Sequence, residues 1–129
     1  MRAIDTNVVV RLLVDDDHRQ ATAAHKLIAE CEVFVPVTVI LETEWVMRSG
    51  YGFTPAHIAA CLRRLGGLPG VTVEEPGEVA QALEWLELGM DFVDALHLAR
   101  TKRCERFVTF DRKLAKQAKA LAALTVEML

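Results

Sequence analysis

Apolar positions along this chain follow two rhythms. Short runs such as Val33-Phe34-Val35 and Val71-Thr72-Val73 are apolar or β-branched at every position, and between them lie longer stretches where apolar residues recur every three or four positions. The first pattern predicts short strands covered on both faces, and the second predicts amphipathic helices. The chain opens with a short strand at Ala3–Asp5. A helix through Val8–Leu13 follows, capped at Thr6 or Asn7 and broken by Asp15-Asp16-Asp17. Ala21, Ala24, Leu27 and Ile28 space a helix from His18 to Glu32, and Pro36 stops the strand Val33–Val35. Helices are then expected from Thr38 to Arg48, from Pro55 (capped by Thr54) to Leu65, and from Pro76 to Leu88, with a strand at Val71–Val73 before the last of these. Asp91 caps a helix reaching about Thr101. A strand at Arg106–Thr109, a helix over Asp111–Ala120 and a strand at Leu124–Val126 complete the order.

Strands alternating with helices predict the α/β class, with a parallel sheet covered by helices on both sides. The chain has 129 residues, 52% of them hydrophobic, and neither repeats nor a dividing linker, so a single domain over residues 1–129 is expected. In such folds ligands bind beyond the carboxyl ends of strands.

Four carboxylates occupy apolar contexts: Asp5 after Met1-Arg2-Ala3-Ile4, Glu42 after Val37-Thr38-Val39-Ile40-Leu41, Asp94 within Phe92-Val93-Asp94-Ala95-Leu96, and Asp111 after Phe107-Val108-Thr109-Phe110. A carboxylate in such a setting is costly unless it is paired or meets a cation. Four of them point to a shared site for a hard divalent ion, Mg²⁺ or Mn²⁺ rather than Zn²⁺. Asp5 and Asp111 can also serve simply as helix caps. In the Thr38 helix, Glu44 stands four residues before Arg48 and suits an exposed ion pair, whereas Glu42 shares a face with Val39, Trp45 and Val46 and is the expected ligand. Asn7, Asp91 and Thr109 lie close enough in sequence to support these acids by hydrogen bonding. Trp45 and Trp85, at helical spacing among apolar residues, read as core, with base stacking as the alternative.

Charge changes the picture. The net charge is −3, yet residues 100–119 carry eight basic and two acidic side chains, +6, which leaves −9 elsewhere. A basic block beside an acidic metal site suits an anionic polymer, with Arg100, Arg112, Lys113 and Lys116 as candidate backbone contacts. Cys31, Cys61 and Cys104 are too few and too scattered for a disulfide framework or a zinc pattern. Met1-Arg2-Ala3-Ile4-Asp5 has no secretory pattern and no apolar run is long enough to span a membrane, so a cytoplasmic protein is expected.

The segments Ile4-Asp5-Thr6-Asn7-Val8, Pro36 to Val46, Asp91 to Ala99 and Val108-Thr109-Phe110-Asp111, in that order, resemble the PIN-domain family and, within it, the VapC-type toxins of prokaryotic toxin–antitoxin systems. The resemblance implies a three-layer α/β/α sandwich with a central parallel sheet. It implies a Mg²⁺- or Mn²⁺-dependent endoribonuclease that hydrolyses RNA with a metal-activated water. Asp5, Glu42, Asp94 and Asp111 would be the catalytic, metal-binding acids. It also implies a homodimer and a small antitoxin partner, for which a groove lined by Val9, Leu12, Leu13 and Val46 is expected. Arg112-Lys113 stand where the family often has a further acid. The alternative is a catalytically silent PIN-like module that binds RNA or protein.

Overall fold

β-branched side chains suit a pleated surface packed from both sides, and the triplets Val33–Val35 and Val71–Val73 are strands with Val33, Val35 and Val73 buried. The computed structural model describes residues 1–121 and 125–129. Its contacts divide the chain into two compact units, Met1–Pro76 and Gly77–Leu129.

The first unit runs β1 (Arg2–Ala3), α1 (Thr6–Leu13), α2 (His18–Glu30), β2 (Val33–Val35), α3 (Val37–Ser49), α4 (Pro55–Gly66) and β3 (Val71–Val73). The strands are parallel in the order β1-β2-β3, with Arg2 opposite Val33 and Val33 opposite Val71. The β1–α1 and β2–α3 connections therefore leave from one edge, which puts Asp5 and the start of α3 at the carboxyl ends of neighbouring strands. Pro36 has no side chain to cap α3, and Glu74, just after β3, accepts the Val37 N–H at 2.8 Å in its place. Val9, Val10, Ile40, Met47, Ile58 and Leu65 are among the buried side chains of this unit.

The second unit contains α5 (Pro76–Glu87, beginning at the boundary), α6 (Phe92–Ala99), β4 (Phe107–Thr109), α7 (Arg112–Ala120) and β5 (Val126–Met128). Here β4 and β5 pair in parallel, Phe107 opposite Val126. The last strand lies later than the expected Leu124–Val126, and Leu124 falls outside the described residues. Among the described residues, no helix is long and apolar enough to cross a membrane. Cys31, Cys61 and Cys104 are free thiols.

One expectation for the first unit is corrected in part. Val9, Leu12 and Leu13, expected to line a partner groove, are buried, although Leu12 and Leu13 still border a cavity of about 460 Å³ with Arg11, Val14 and Arg64. α1 contacts α2, α3 and α4, so its apolar face serves the core. The Asp15-Asp16-Asp17 segment separates α1 from α2, as expected, and is also tied down. Tyr51 Oη donates to Asp16 at 2.6 Å, and Arg11 reaches both Asp16 at 2.8 Å and Gln20 at 2.6 Å.

The Tyr51 hydrogen bond, ahead of the Arg11 charge, holds the Asp16 carboxyl below its ordinary range. A depressed folded pKa contributes stability above the ordinary carboxylate pKa that is lost as pH falls through the folded one. In Tyr51→Phe the Asp16 carboxyl is expected to titrate at higher pH, read by NMR of the side-chain carbonyl. An unmoved titration would refute the role of the phenol.

Candidate active site

The first unit gathers Asp5, Thr6 and Glu42. Asp5 follows β1 and is the N-cap of α1, accepting the Val8 N–H at 3.2 Å on Oδ1. The cap use anticipated for it is real, but it occupies one of two carboxylate oxygens. Thr6, buried at the first position of α1, donates its hydroxyl to Glu42 Oε1. That bond brings Glu42 to the residue adjoining Asp5. Asn7 lines a groove of about 420 Å³ with Asp5, Val8 and Arg11 on one wall and α2 on the other.

The faces of α3 are the reverse of those expected for Glu42 and Glu44. Ile40, Thr43, Glu44 and Met47 form the buried face of α3, whereas Glu42 and Trp45 face outward. Glu44 is 1% exposed and grips Arg48 through Oε2 to Nε at 2.9 Å and Oε1 to Nη2 at 3.3 Å. The ion pair thus involves a buried carboxylate, not a surface one. Trp45, expected in the core, is 57% exposed. Thr6 was not anticipated as a site residue. The available signal was a hydroxyl directly after a strand-end acid.

The second unit gathers Asp91, Asp94 and Asp111. Asp91 is the N-cap of α6 and accepts the Asp94 N–H at 3.1 Å. Asp111 follows β4, caps α7 by accepting the Leu114 N–H at 3.1 Å, and is held in turn by its own N–H to Thr109 Oγ1 at 2.9 Å. Asp94, half-buried within the first turn of α6, carries no cap role. Burial, then the charges of Asp91 and Asp111, push its carboxyl above the ordinary range, while His97 acts weakly the other way. These carboxylates are therefore close enough to repel, which is the electrostatic condition a cation relieves.

The donors are all oxygens, which suits Mg²⁺ or Mn²⁺. Among the described residues no three His, Cys, Asp or Glu side chains converge in a ligating arrangement. The match to a divalent ion therefore lies in donor chemistry and charge.

The basic block is sorted by the structure. Arg100 lies 3.4 Å from Glu78 and Arg106 lies 3.3 Å from Glu127, so both are engaged within the unit. Arg112, Lys113 and Lys116 are exposed on α7, directly after Asp111.

Among solved structures, that of VapC20 from Mycobacterium tuberculosis, a sarcin-ricin loop cleaving toxin, is 25% identical over 90% of this chain and 94% of that chain, with a TM-score of 0.44. No curated protein matches. The PIN domain model matches residues 3–120, a span that contains Asp5, Glu42, Asp94 and Asp111 together with their caps, and the chain belongs to the PIN domain family.

Proposed function

We propose that this chain is a divalent-metal-dependent endoribonuclease, the toxin of a type II toxin–antitoxin pair, with Asp5, Glu42, Asp94 and Asp111 as its metal-holding catalytic residues. The observation that carries the proposal is the PIN domain match over residues 3–120, which contains all four acids, and Asp94, half-buried beside Asp91 and Asp111, adds a carboxyl raised by burial and by those charges. Perturbation of this kind concentrates at functional sites. Family membership supports the nuclease class, and the VapC-like motifs support the toxin assignment. Because the family match runs across the boundary at Pro76, both units are assigned to one PIN-like domain.

A divalent ion held by these acids would activate water and offset charge on the scissile phosphate. The chain's own residues prepare that site. Thr6 fixes the Glu42 carboxylate, while the Asp91 and Thr109 side chains receive the backbone N–H groups of Asp94 and Asp111 and so set where those acids stand. Asn7, beside Asp5 in its groove, is assigned to orienting substrate or water. Arg112, Lys113 and Lys116 are assigned to the RNA backbone, with Arg100 in a lesser role because of Glu78. A small antitoxin, a homodimeric state and a cytoplasmic location belong to the same proposal.

The deciding experiment is digestion of total RNA with Mg²⁺, with Mn²⁺ and with EDTA. Discrete fragments that EDTA abolishes are expected, with 5′-phosphate ends. A folded, metal-binding protein that cuts nothing would leave the silent binding module instead.

Metal should also register in stability. A carboxyl with a raised folded pKa is favoured in its protonated form, so stability falls as pH climbs from the ordinary carboxylate pKa to the folded one. A bound divalent ion removes that penalty. Mg²⁺ or Mn²⁺ is expected to raise Tm at neutral pH and much less in acid, where protons compete for the carboxylates. A neutral-pH Tm indifferent to saturating metal would count against the ligand set.

Backbone contacts predict a salt effect. Lys113→Ala with Lys116→Ala is expected to reduce the slope of log affinity against log salt by about 1.4 for single-stranded RNA. An unchanged slope would remove these lysines from the interface.

A further inference from the structure

The orientation of α3 is the costly one. An indole gains more from burial than almost any side chain and a carboxylate loses by it, yet this helix buries Glu44 at 1% exposure and leaves Trp45 at 57%. The outward stripe carries Thr38, Glu42, Trp45 and Ser49, all exposed. Glu42 and Trp45 are three apart, so their Cβ atoms are neighbours on the helix surface at about 5–6 Å. Glu42 is itself held by Thr6, the residue after Asp5. A large aromatic face thus stands one helical turn from a carboxylate assigned to phosphate chemistry, within the same unit.

We propose that Trp45 is a base-stacking residue, its indole receiving a nucleobase of single-stranded RNA beside the phosphate to be cut. This rests on the nuclease assignment above. A phosphodiester in RNA carries a base on either side, so an aromatic surface next to the phosphate site meets a base once the backbone is engaged. Every base has a π face, and stacking is therefore tolerant of sequence. Trp45 contributes affinity and placement, and leaves sequence choice to other groups. The exposed carboxylates of this unit repel the RNA backbone in the absence of metal, which makes an uncharged contact the more useful one there.

The chain supplies its own reporter, because Trp85 is 6% exposed and Trp45 is the exposed indole. In the Trp85→Phe variant, made inert by Asp94→Asn and kept in Mg²⁺, Trp45 emission is followed as end-labelled oligoadenylate, oligouridylate or an abasic ribose-phosphate oligomer is added. Anisotropy of the label reports binding separately. The base-bearing oligomers are expected to quench Trp45 and the abasic one to bind without quenching. Trp45→Ala is expected to bind oligoadenylate about tenfold more weakly, while Trp45→Phe keeps most of the affinity. If Trp85→Phe does not fold, the difference between wild type and Trp45→Phe isolates the same emission. RNA that binds with no change in emission and equal affinity for Trp45→Ala overturns the stacking role and leaves the nuclease assignment standing. Absence of binding by any oligomer to the folded protein overturns both. Unchanged RNA affinity in a Trp45→Ala variant that sediments as a smaller species than wild type overturns it too, by giving the indole to a contact with a second copy of the chain.

Discussion

Asp94→Asn is expected to abolish RNA cleavage, by on the order of a thousandfold or more, while the protein stays folded. Asparagine matches aspartate in shape, and Asp94 makes no cap bond of its own that the change would break; its backbone N–H to Asp91 is retained. What disappears is one negative charge among three, on a carboxyl already raised by burial and by its two neighbours. Removing a repelled charge should leave the metal-free protein as stable as wild type or more so. Losing a ligand of a divalent ion forfeits several kcal/mol of charge stabilisation in the transition state, which is the origin of the rate loss. The measurement pairs single-turnover cleavage with Tm in EDTA. Lost activity with a raised or unchanged Tm places the residue in the chemistry, because function then opposes stability at that position. Cleavage at the wild-type rate would remove Asp94 from the site, and a collapse of Tm would mark it as structural.

The second large effect is on folding. Arg48→Met is expected to destabilise the protein by about 2–3 kcal/mol, a fall of roughly 8 °C in Tm. The Glu44 side chain is 2% exposed and Arg48 grips both of its oxygens, whereas the Arg48 side chain is 47% exposed. Breaking a buried pair strands the inner charge and typically costs 3–5 kcal/mol. The half-exposed arginine admits water in its place, which reduces the figure. The double variant Glu44→Met with Arg48→Met should recover most of the loss, since a hydrophobic pair of similar volume often replaces a buried ion pair at little cost. Chemical denaturation of both variants decides the matter. Equal stability of Arg48→Met and wild type would show that Glu44 is satisfied by other means.

The alternation of elements, the Thr54 and Asp91 caps and the parallel pairing were legible in the sequence because each follows from local rules. Period, capping chemistry and the turn-forming residues act over a few positions. The face of α3 was not legible. Val37, Val39, Ile40, Leu41, Val46 and Met47 set apolar side chains on nearly every side of that helix, so its periodicity does not select a direction. The selection is tertiary: α3 packs against α1 and α4, and Thr6 reaches Glu42 from α1. Val9 was likewise expected on an outer groove, because an apolar face looks alike whether its partner is the core or another protein. Among the proposed site residues, Asp5, Asp94 and Asp111 were nameable from an acid in an apolar segment. Thr6 was not, since its role exists only once a residue 36 positions away is folded onto it.

Asp5, Asp91 and Asp111 each begin a helix as well as belonging to the acidic clusters. The usual way of silencing a nuclease, alanine for aspartate, would therefore unfasten a helix at the same stroke, at about 1 kcal/mol each. Two or three such changes would consume a good part of a small domain's stability, and a dead protein would then say nothing about chemistry. Asparagine caps as well as aspartate does. Asn substitutions at these positions should yield an inert chain of intact shape, able to hold its RNA long enough for the complex to be isolated and the bound sequence to be read directly.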